Sequence, residues 1–356
     1  MRVRGLENQI LMLLLAGSAL VAALLVRSVL PEQFLRDDGH LQLAMRGGPL
    51  FTDAESFQAV ATMYLVSGLD QAPPLAAMLG VGVYTAAMFA ALGWSRLPHL
   101  SPVTIAMAAA TFVPALAYLG QYTKEFATAL VALAVTCIPG GRRLGTVLPG
   151  DAVVVALCLW YGLTLRPYWL IVAIGYVLLR LVLSRTAHPL ALLAVPVLLY
   201  AALQPAFQAV LGHGLQGQRD WANAERAGTE VNTLIVSVAP EAGGLMGVGA
   251  ALVMVALMVV PVPLLLSGSV YHLAAGLAIA GLWLLVLVPV LRGRLREVPR
   301  ACADEPGRVR AARAAALLLA FLLTQALFEP DYGSALKHLT PLLPLVLMVH
   351  LHRRPR

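Results

Sequence analysis

The sequence is poor in charge and contains only two lysines. Charged residues make up 12% of its 356 positions, against about 25% in soluble domains. The mean hydropathy is +0.81, and apolar runs of roughly 20 residues, long enough to cross a bilayer, recur along the chain. Together these values exclude a soluble globular protein and indicate one that crosses a membrane several times.

The alternation of apolar and polar residues that β-barrel strands require is also missing. The runs are continuously apolar, as spanning helices are. We therefore predict an all-α polytopic fold with about 10–12 transmembrane helices, forming a single membrane domain over residues 1–356. The candidate spans are 8–30, 74–94, 101–120, 125–140, 151–165, 168–185, 188–211, 242–266, 270–291, 311–328 and 339–352.

Metal and nucleotide motifs are absent as well. Cys137, Cys158 and Cys302 are scattered without CxxC or metal-ligand spacing, so we expect neither a disulfide nor a zinc site. No Walker, Rossmann or zinc motif occurs, and the chain has no soluble basic face for nucleic acid. We expect no cofactor, no metal and no nucleic-acid partner.

The net charge of +7 comes from arginines that collect between the apolar runs. Arg142 and Arg143, the arginine-rich loop 292–310 and the C-terminal residues 353–356 are predicted to face the cytoplasm by the positive-inside rule. The first span reads as retained, since it is too long for a signal-peptide core, so both termini are predicted to be cytoplasmic. The predicted outer loops are 31–70, 212–240 and 329–338, and the short island 121–125 lies on the same side.

Lys124 and Glu125 lie between two almost purely apolar stretches. An ionisable group costs roughly 2.5–3.5 kcal/mol at a helix centre, and somewhat less at the outer membrane edge where topology places this island. One interpretation is a binding or catalytic pair, and the other is a structural ion pair that caps a helix.

Two further polar islands interrupt the runs. Arg166 and Tyr168 flank Pro167, which is expected to break a helix. Arg166 either binds an anion in a bidentate fork or extends harmlessly to the interface. Arg219, Asn223 and Arg226 would share one helix face, suited either to a pyrophosphate or sugar or simply to solvent.

The first and last outer loops also carry titratable groups. Asp37 and Asp38 follow the first span, where adjacent carboxylates can act as a base or hold sugar hydroxyls. Lys337 and His338 end the loop 329–338, which is more polar than a simple hairpin turn requires. In both loops the alternative is an ordinary solvated segment.

Taken in order, these islands resemble the bacterial O-antigen and exopolysaccharide polymerase-like membrane proteins, which are related to the O-antigen ligases and other GT-C-type glycosyltransferases. The resemblance covers most of the chain in short motifs. They are Asp37-Asp38, Tyr122-Thr123-Lys124-Glu125, Arg166-Pro167-Tyr168, the Arg219/Asn223/Arg226 loop, and Gly333-Ser334-Ala335-Leu336-Lys337-His338 followed by Thr340-Pro341-Leu342-Leu343-Pro344.

The resemblance implies transfer of glycan units, without a metal, from a polyprenyl-pyrophosphate carrier at the outer face of the bacterial cytoplasmic membrane. Its partners would be that lipid-linked glycan, membrane lipids and polysaccharide assembly proteins. The residues expected to bind the pyrophosphate and glycan are Lys124, Arg166, Tyr168, Arg219, Asn223, Arg226 and Lys337. The candidates for the base are Glu125, Asp37, Asp38 and His338.

Two other functions compete with glycan transfer. A flippase or transporter of a lipid-linked or anionic solute could use Lys124 and Glu125 as a gated ion pair, although such proteins favour inverted repeats, which the sequence does not show. A non-catalytic scaffold of a polysaccharide assembly complex could dock a partner through the loop 292–310.

Overall fold

A computed structural model of the chain describes residues 3–50, 54–140, 149–185, 189–212, 214–215, 217–225, 233–239, 244–295 and 306–352. Within these ranges the chain is helical, and its one β-type pairing is an isolated bridge between Leu234 and Asp331. The predicted all-α class is confirmed. Arg142, Arg143, Arg226, residues 296–305 of the arginine-rich loop and residues 353–356 lie outside the described residues.

Sixteen α-helices occur in the described ranges. They are α1 (Val3–Val29), α2 (Arg36–Met45), α3 (Ala54–Val66), α4 (Pro73–Leu92), α5 (Pro102–Leu119), α6 (Glu125–Cys137), α7 (Pro149–Thr164), α8 (Trp169–Arg185), α9 (Pro189–Leu211), α10 (Gly217–Glu225), α11 (Gly244–Val259), α12 (Val262–Leu265), α13 (Val270–Leu291), α14 (Pro306–Phe328), α15 (Tyr332–Leu339) and α16 (Leu343–Leu351). Short 3-10 helices cover Glu32–Phe34, Trp94–His99 and Thr340–Leu342.

Seven helical segments of the described chain are long and apolar enough to cross a membrane. They are Leu6–Val29, Pro73–Leu92, Pro102–Leu119, Leu190–Val210, Val270–Leu291, Pro306–Phe328 and Tyr332–Leu351. Three shorter apolar helices, Glu125–Cys137, Pro149–Thr164 and Gly244–Val259, accompany them. The polytopic prediction is therefore confirmed. The described residues contain seven helices of spanning length, and the predicted number of 10–12 stays a prediction.

Helix ends follow local chemistry. Pro102 starts α5, where its missing N–H costs nothing, and the Ser101 hydroxyl accepts a hydrogen bond from the amide of Thr104. Ser269 caps α13 in the same way through the amide of His272. The break predicted at Pro167 is present, since α7 ends at Thr164 and α8 begins at Trp169.

The chain divides into two compact units that take segments from separated parts of the sequence. Unit 1 comprises Met1–Pro139, Ala156–Pro167 and Lys337–Leu351, and unit 2 comprises Gly140–Val155, Tyr168–Leu336 and His352–Arg356. The prediction of a single membrane domain over residues 1–356 stays a prediction.

In unit 1, helix α4 packs against α1, α6 and α16. Helix α4 also packs against α5, and Gly80 permits that approach, because a Cβ at its position would lie 2.3 Å from the carbonyl oxygen of Leu119, the last residue of α5. At the start of α1 the Asn8 side-chain amide donates to the carbonyls of Leu97 and Leu100, at 3.1 Å each.

In unit 2, helix α14 is the centre of the packing, with 94% of its most apolar window buried. It packs against α8 and α11, and Gly175 on α8 faces Ala320 so closely that a Cβ there would lie 3.2 Å from the alanine Cβ. The rings of Trp169 and Phe321 meet 5.9 Å apart in the same contact. The buried, small-residue surface of α14 makes it a core helix.

Candidate functional site

The site lies in unit 1 and is built around the start of helix α6. Gln121 to Lys124 form a buried turn between α5 and α6, and Glu125 is the first residue of α6. The Thr123 hydroxyl accepts the amide N–H of Glu125 at 3.1 Å. Lys124 occupies the N-cap position of α6 but makes no side-chain cap hydrogen bond, and the hydroxyl of the preceding Thr123 satisfies the first amide of the helix.

Glu125 pairs with a residue from another segment. Its carboxylate is 0% exposed, and its Oε1 accepts a hydrogen bond from Nη2 of Arg166 at 2.6 Å. The Nε2 atom of His338 lies 3.6 Å from the same oxygen. The attraction of the Arg166 guanidinium offsets the free-energy cost of removing this carboxylate from water, because a charge buried in an apolar interior needs a partner of opposite charge.

A second ion pair joins Asp37 near the N-terminal helix α1 to Lys337 near the C-terminal helix α16. Nζ of Lys337 donates to Oδ2 of Asp37 at 2.5 Å, across 300 residues of sequence. Burial by itself raises the pKa of the Asp37 carboxyl, but the positive charges of Lys337, Lys124 and Arg166 outweigh it and lower the pKa from 3.8 to about 2. Asp37 therefore remains ionised at any physiological pH.

Lys124 is held in this neighbourhood by two contacts with the start of α3. Its Nζ donates to the hydroxyl of Ser56 at 3.2 Å and lies 3.8 Å from the centroid of the Phe57 ring. A buried ammonium keeps its charge more easily over the negative face of an aromatic ring.

We call these six residues the Glu125 cluster. They are Asp37, Lys124, Glu125, Arg166, Lys337 and His338. Three basic side chains face two carboxylates, so at their formal charges the cluster carries one excess positive charge when His338 is neutral. A largely desolvated group of this kind suits an anionic ligand, because each cation interacts more strongly there than in water.

Asp38 has a different place from its neighbour Asp37. Oδ2 of Asp38 accepts from Nε of Arg27 at 3.0 Å and from Gln42 at 2.5 Å, and Oδ1 accepts the amide N–H of Tyr122 at 3.2 Å. Asp38 thereby ties α1 and α2 to the buried turn. It acts in the structure as a support for the Glu125 cluster, and its suggested role as a base stays a prediction.

Sequence reasoning missed two residues that support the glutamate. The Thr128 hydroxyl lies 3.5 Å from Oε2 of Glu125 and 2.8 Å from the hydroxyl of Tyr161. Thr128 could have been found, because residues three apart on a helix are neighbours. Tyr161 comes from helix α7, and no local pattern connects it to Glu125.

The other predicted binding residues belong to unit 2. Arg219 is fully buried, and its guanidinium donates to the main-chain carbonyls of Glu329, at 3.0 Å, and Ala326. These contacts provide hydrogen bonds for carbonyl groups at the C-terminal end of α14, where basic side chains commonly bind the last carbonyls of a helix. Burial lowers the pKa of Arg219 to about 10, so it remains charged at neutral pH. Its role in pyrophosphate binding stays a prediction.

Asn223 and Tyr168 also make main-chain contacts. The Asn223 amide donates to the carbonyl of Ile235 at 3.1 Å, and the Tyr168 carbonyl accepts the amides of Ile171 and Val172 at the start of α8. Arg226 lies outside the described residues. Of the three residues predicted to share one helix face, Arg219 and Asn223 both lie on α10.

Unit 2 contains a second ion cluster that sequence reasoning did not identify. Asp151 on α7 accepts hydrogen bonds from Tyr176 at 2.6 Å, from Nε and Nη2 of Arg180 at 3.2 and 3.0 Å, and from Nε of Arg313 at 3.1 Å. We call Asp151, Tyr176, Arg180 and Arg313 the Asp151 cluster. These residues were hidden inside apolar runs, where the sequence predicted spans and nothing more.

Within the described ranges, no three His, Cys, Asp or Glu side chains lie close enough together to hold a metal ion. A scan against protein-family models found no match, and searches of curated proteins and of solved structures found no significant match.

Proposed function

We propose that this chain is a glycosyltransferase of the bacterial cytoplasmic membrane that polymerises or transfers glycan units from a polyprenyl-pyrophosphate carrier. The observation that carries the proposal is the Glu125 cluster, in which three cations, two carboxylates and a histidine from four separate chain segments meet in unit 1. These are the groups that transfer from a pyrophosphate leaving group requires.

The cations would bind the departing pyrophosphate. Each is already oriented by a partner: Arg166 by Glu125, Lys337 by Asp37, and Lys124 by Ser56 and Phe57. Positive groups held in place before the reaction stabilise the charge that develops on the leaving oxygen without reorganising.

His338 is the best-placed base. It is more accessible than Glu125, with 16% of its side chain exposed against 0%, so an acceptor hydroxyl can approach it. Asp37 is a poor proton acceptor, because the neighbouring cations lower its pKa to about 2. Glu125, 3.6 Å from His338 Nε2, would orient the imidazole and stabilise its protonated form, as a carboxylate does for a catalytic histidine.

In the proposed reaction the acceptor hydroxyl oxygen attacks the anomeric carbon of the donor sugar. A new glycosidic C–O bond forms as the bond from that carbon to the pyrophosphate oxygen breaks. The hydroxyl proton passes to His338, and the lipid pyrophosphate leaves as an anion neutralised by Lys124, Arg166 and Lys337.

The test is the lipid-linked glycan profile of a strain that lacks the chain, restored with variants. We expect the strain to accumulate single units and the wild type to restore long chains. His338→Gln and Lys337→Gln should fail to do so while reaching normal levels in the membrane, since loss of a general base costs roughly 10²–10⁴-fold in rate.

The controls are His99→Gln and Arg96→Gln, which remove a histidine and a cationic side chain at exposed positions of the 3-10 helix Trp94–His99. Both should restore normal chains. Normal chain length with His338→Gln and Lys337→Gln would overturn the proposal. Flux of a lipid-linked substrate across liposomes without any extended product would favour the transporter instead.

A further inference from the structure

A groove of about 550 Å³ lies between the end of α1 and the start of α4. Its volume falls within the roughly 300–1,000 Å³ of ordinary ligand sites. The residues along it include Leu24, Arg27, Ser28, Leu35, Pro73 and Pro74. The walls are mainly apolar, and Arg27 is the charged group among them.

The groove runs from a membrane boundary into the apolar layer. The span Leu6–Val29 has 24 residues, about 36 Å of helix, enough to cross the ~30 Å hydrocarbon core. Arg27 lies two residues before the end of that span, and Pro73 is the first residue of the next. Ala23 and Ala77 continue the groove one turn deeper into both helices. Its polar end thus lies where lipid headgroups do.

Arg27 is prepared to bind a phosphate. Its Nε and Nη2 both contact Oδ2 of Asp38, at 3.0 and 2.8 Å, and this holds the guanidinium in one orientation. The side chain remains 37% exposed, and a guanidinium has five N–H donors in a planar fork. The donors that do not face Asp38 match phosphate oxygens in charge and geometry.

We infer that this groove is a binding site for one membrane phospholipid, whose phosphate contacts Arg27 and whose acyl chain follows the apolar wall between α1 and α4. A soluble phosphate would leave that wall uncovered, while a phospholipid satisfies the apolar and the cationic parts together. The groove is connected to the buried turn through Asp38, whose carboxylate accepts hydrogen bonds from both Arg27 and the main-chain amide of Tyr122. It is independent of the proposed glycan transfer.

The test is native mass spectrometry of the full chain purified in detergent and titrated with phosphatidylglycerol. We expect wild type to retain one tightly held molecule. Arg27→Gln should lower its occupancy at least fivefold. Ser28→Trp should do the same by filling the groove while leaving the Arg27–Asp38 pair intact, which covers the case that Arg27→Gln perturbs folding.

Two controls separate this site from general lipid contact. Leu25→Trp places the same bulk on an outer face of α1 that is 63% exposed, and Arg96→Gln removes an exposed arginine elsewhere in unit 1. Both should retain the lipid. Equal occupancy in all variants, or loss with Leu25→Trp, would overturn the inference. Arg27-dependent retention of an isoprenyl phosphate in place of the phospholipid would overturn the assignment of the occupant.

Discussion

The two ion clusters of this protein use similar side chains in opposite ways. In the Asp151 cluster one carboxylate accepts four hydrogen bonds from Tyr176, Arg180 and Arg313, about as many as its lone pairs allow. In the Glu125 cluster the two carboxylates share three cations and a histidine, with His338 and Lys337 partly exposed. Each cluster has one more cationic side chain than it has carboxylates, so the difference lies in access. The arginines of the Asp151 cluster are 7% and 1% exposed, whereas Lys337 and His338 of the Glu125 cluster are 21% and 16% exposed and can meet a ligand.

The positions of the residues explain this difference. Arg180 and Arg313 lie inside long helices, where the backbone holds them rigidly. The carboxylates do not differ in this respect, because Asp151, Glu125 and Asp37 all lie in the first turns of their helices, but Arg166 of the Glu125 cluster lies between two helices. Polar groups at helix ends can face a ligand without breaking the packing, which is why binding residues collect there. We therefore regard the Asp151 cluster as structural.

The largest contrast in stability should come from Asp151→Asn compared with Asp37→Asn. Asp151→Asn leaves Arg180 and Arg313 facing a neutral amide, and losing one partner of a buried ion pair costs about 3–5 kcal/mol. Asp37→Asn should cost less, because Lys337 is 21% exposed and can reach water. Denaturant titration in mixed micelles measures both. A larger loss for Asp37→Asn would reverse our assignment of the two clusters.

A smaller effect should appear in the pH dependence of the Asp37–Lys337 pair. The pKa of Asp37 is lowered in the fold to about 2, so its contribution to stability is complete above the unfolded value of about 3.9 and is lost as pH falls toward 2. The difference in Tm between wild type and Asp37→Asn should stay constant from neutral pH to about pH 5 and shrink below about pH 4.

The control for this pH series is Glu32→Gln, which changes an exposed carboxylate near Asp37. Its Tm difference from wild type should stay near zero over the same range. A difference for Asp37→Asn that stays constant down to about pH 2 would show that the fold does not lower the pKa of Asp37, and a difference that grows as the pH falls below about 6 would show that the fold raises it. Either result would contradict the electrostatic picture of the Glu125 cluster.

The smallest effect should come from the contact of Lys124 with Phe57. A buried cation–π contact contributes about 0.5–2 kcal/mol. A double-mutant cycle of Lys124→Gln and Phe57→Leu should return a coupling energy in this range, measured by the same denaturant titration. Coupling near zero would mean that the Ser56 contact and the surrounding charges hold Lys124 without help from the ring.

Much of the fold could be predicted from the sequence. The predicted spans match the helices closely: the stretch 270–291 coincides with α13, and 74–94 with α4 (Pro73–Leu92). Hydropathy predicts the helices well because each helix in a membrane must form all its backbone hydrogen bonds within its own segment. The length of a helix can therefore be read from the length of its apolar run. The helix break at Pro167 could also be predicted, because proline disrupts a helix only at its own position and at the residues next to it.

The candidate site could be predicted in part. Six of the expected residues meet in the Glu125 cluster, and they could be found because they lie in short polar segments between the apolar runs, where they stand out. The support from Tyr161 could not be foreseen, nor could the main-chain contacts of Arg219, because both depend on which helices pack together. The Asp151 cluster was overlooked because each of its charged residues lies in a separate predicted span, and a single charge does not change the interpretation of a long apolar run as a membrane helix.

By itself the sequence determined that this protein is an all-α membrane protein and where most of its helices begin and end. Only the tertiary structure decided that Glu125 meets Arg166, that Asp37 meets Lys337 300 residues away, and that Asp151 binds two arginines. The physical reason is that hydropathy and helix breaking act over a few residues. Ion pairing depends on helix packing, which the order of residues along one segment does not record.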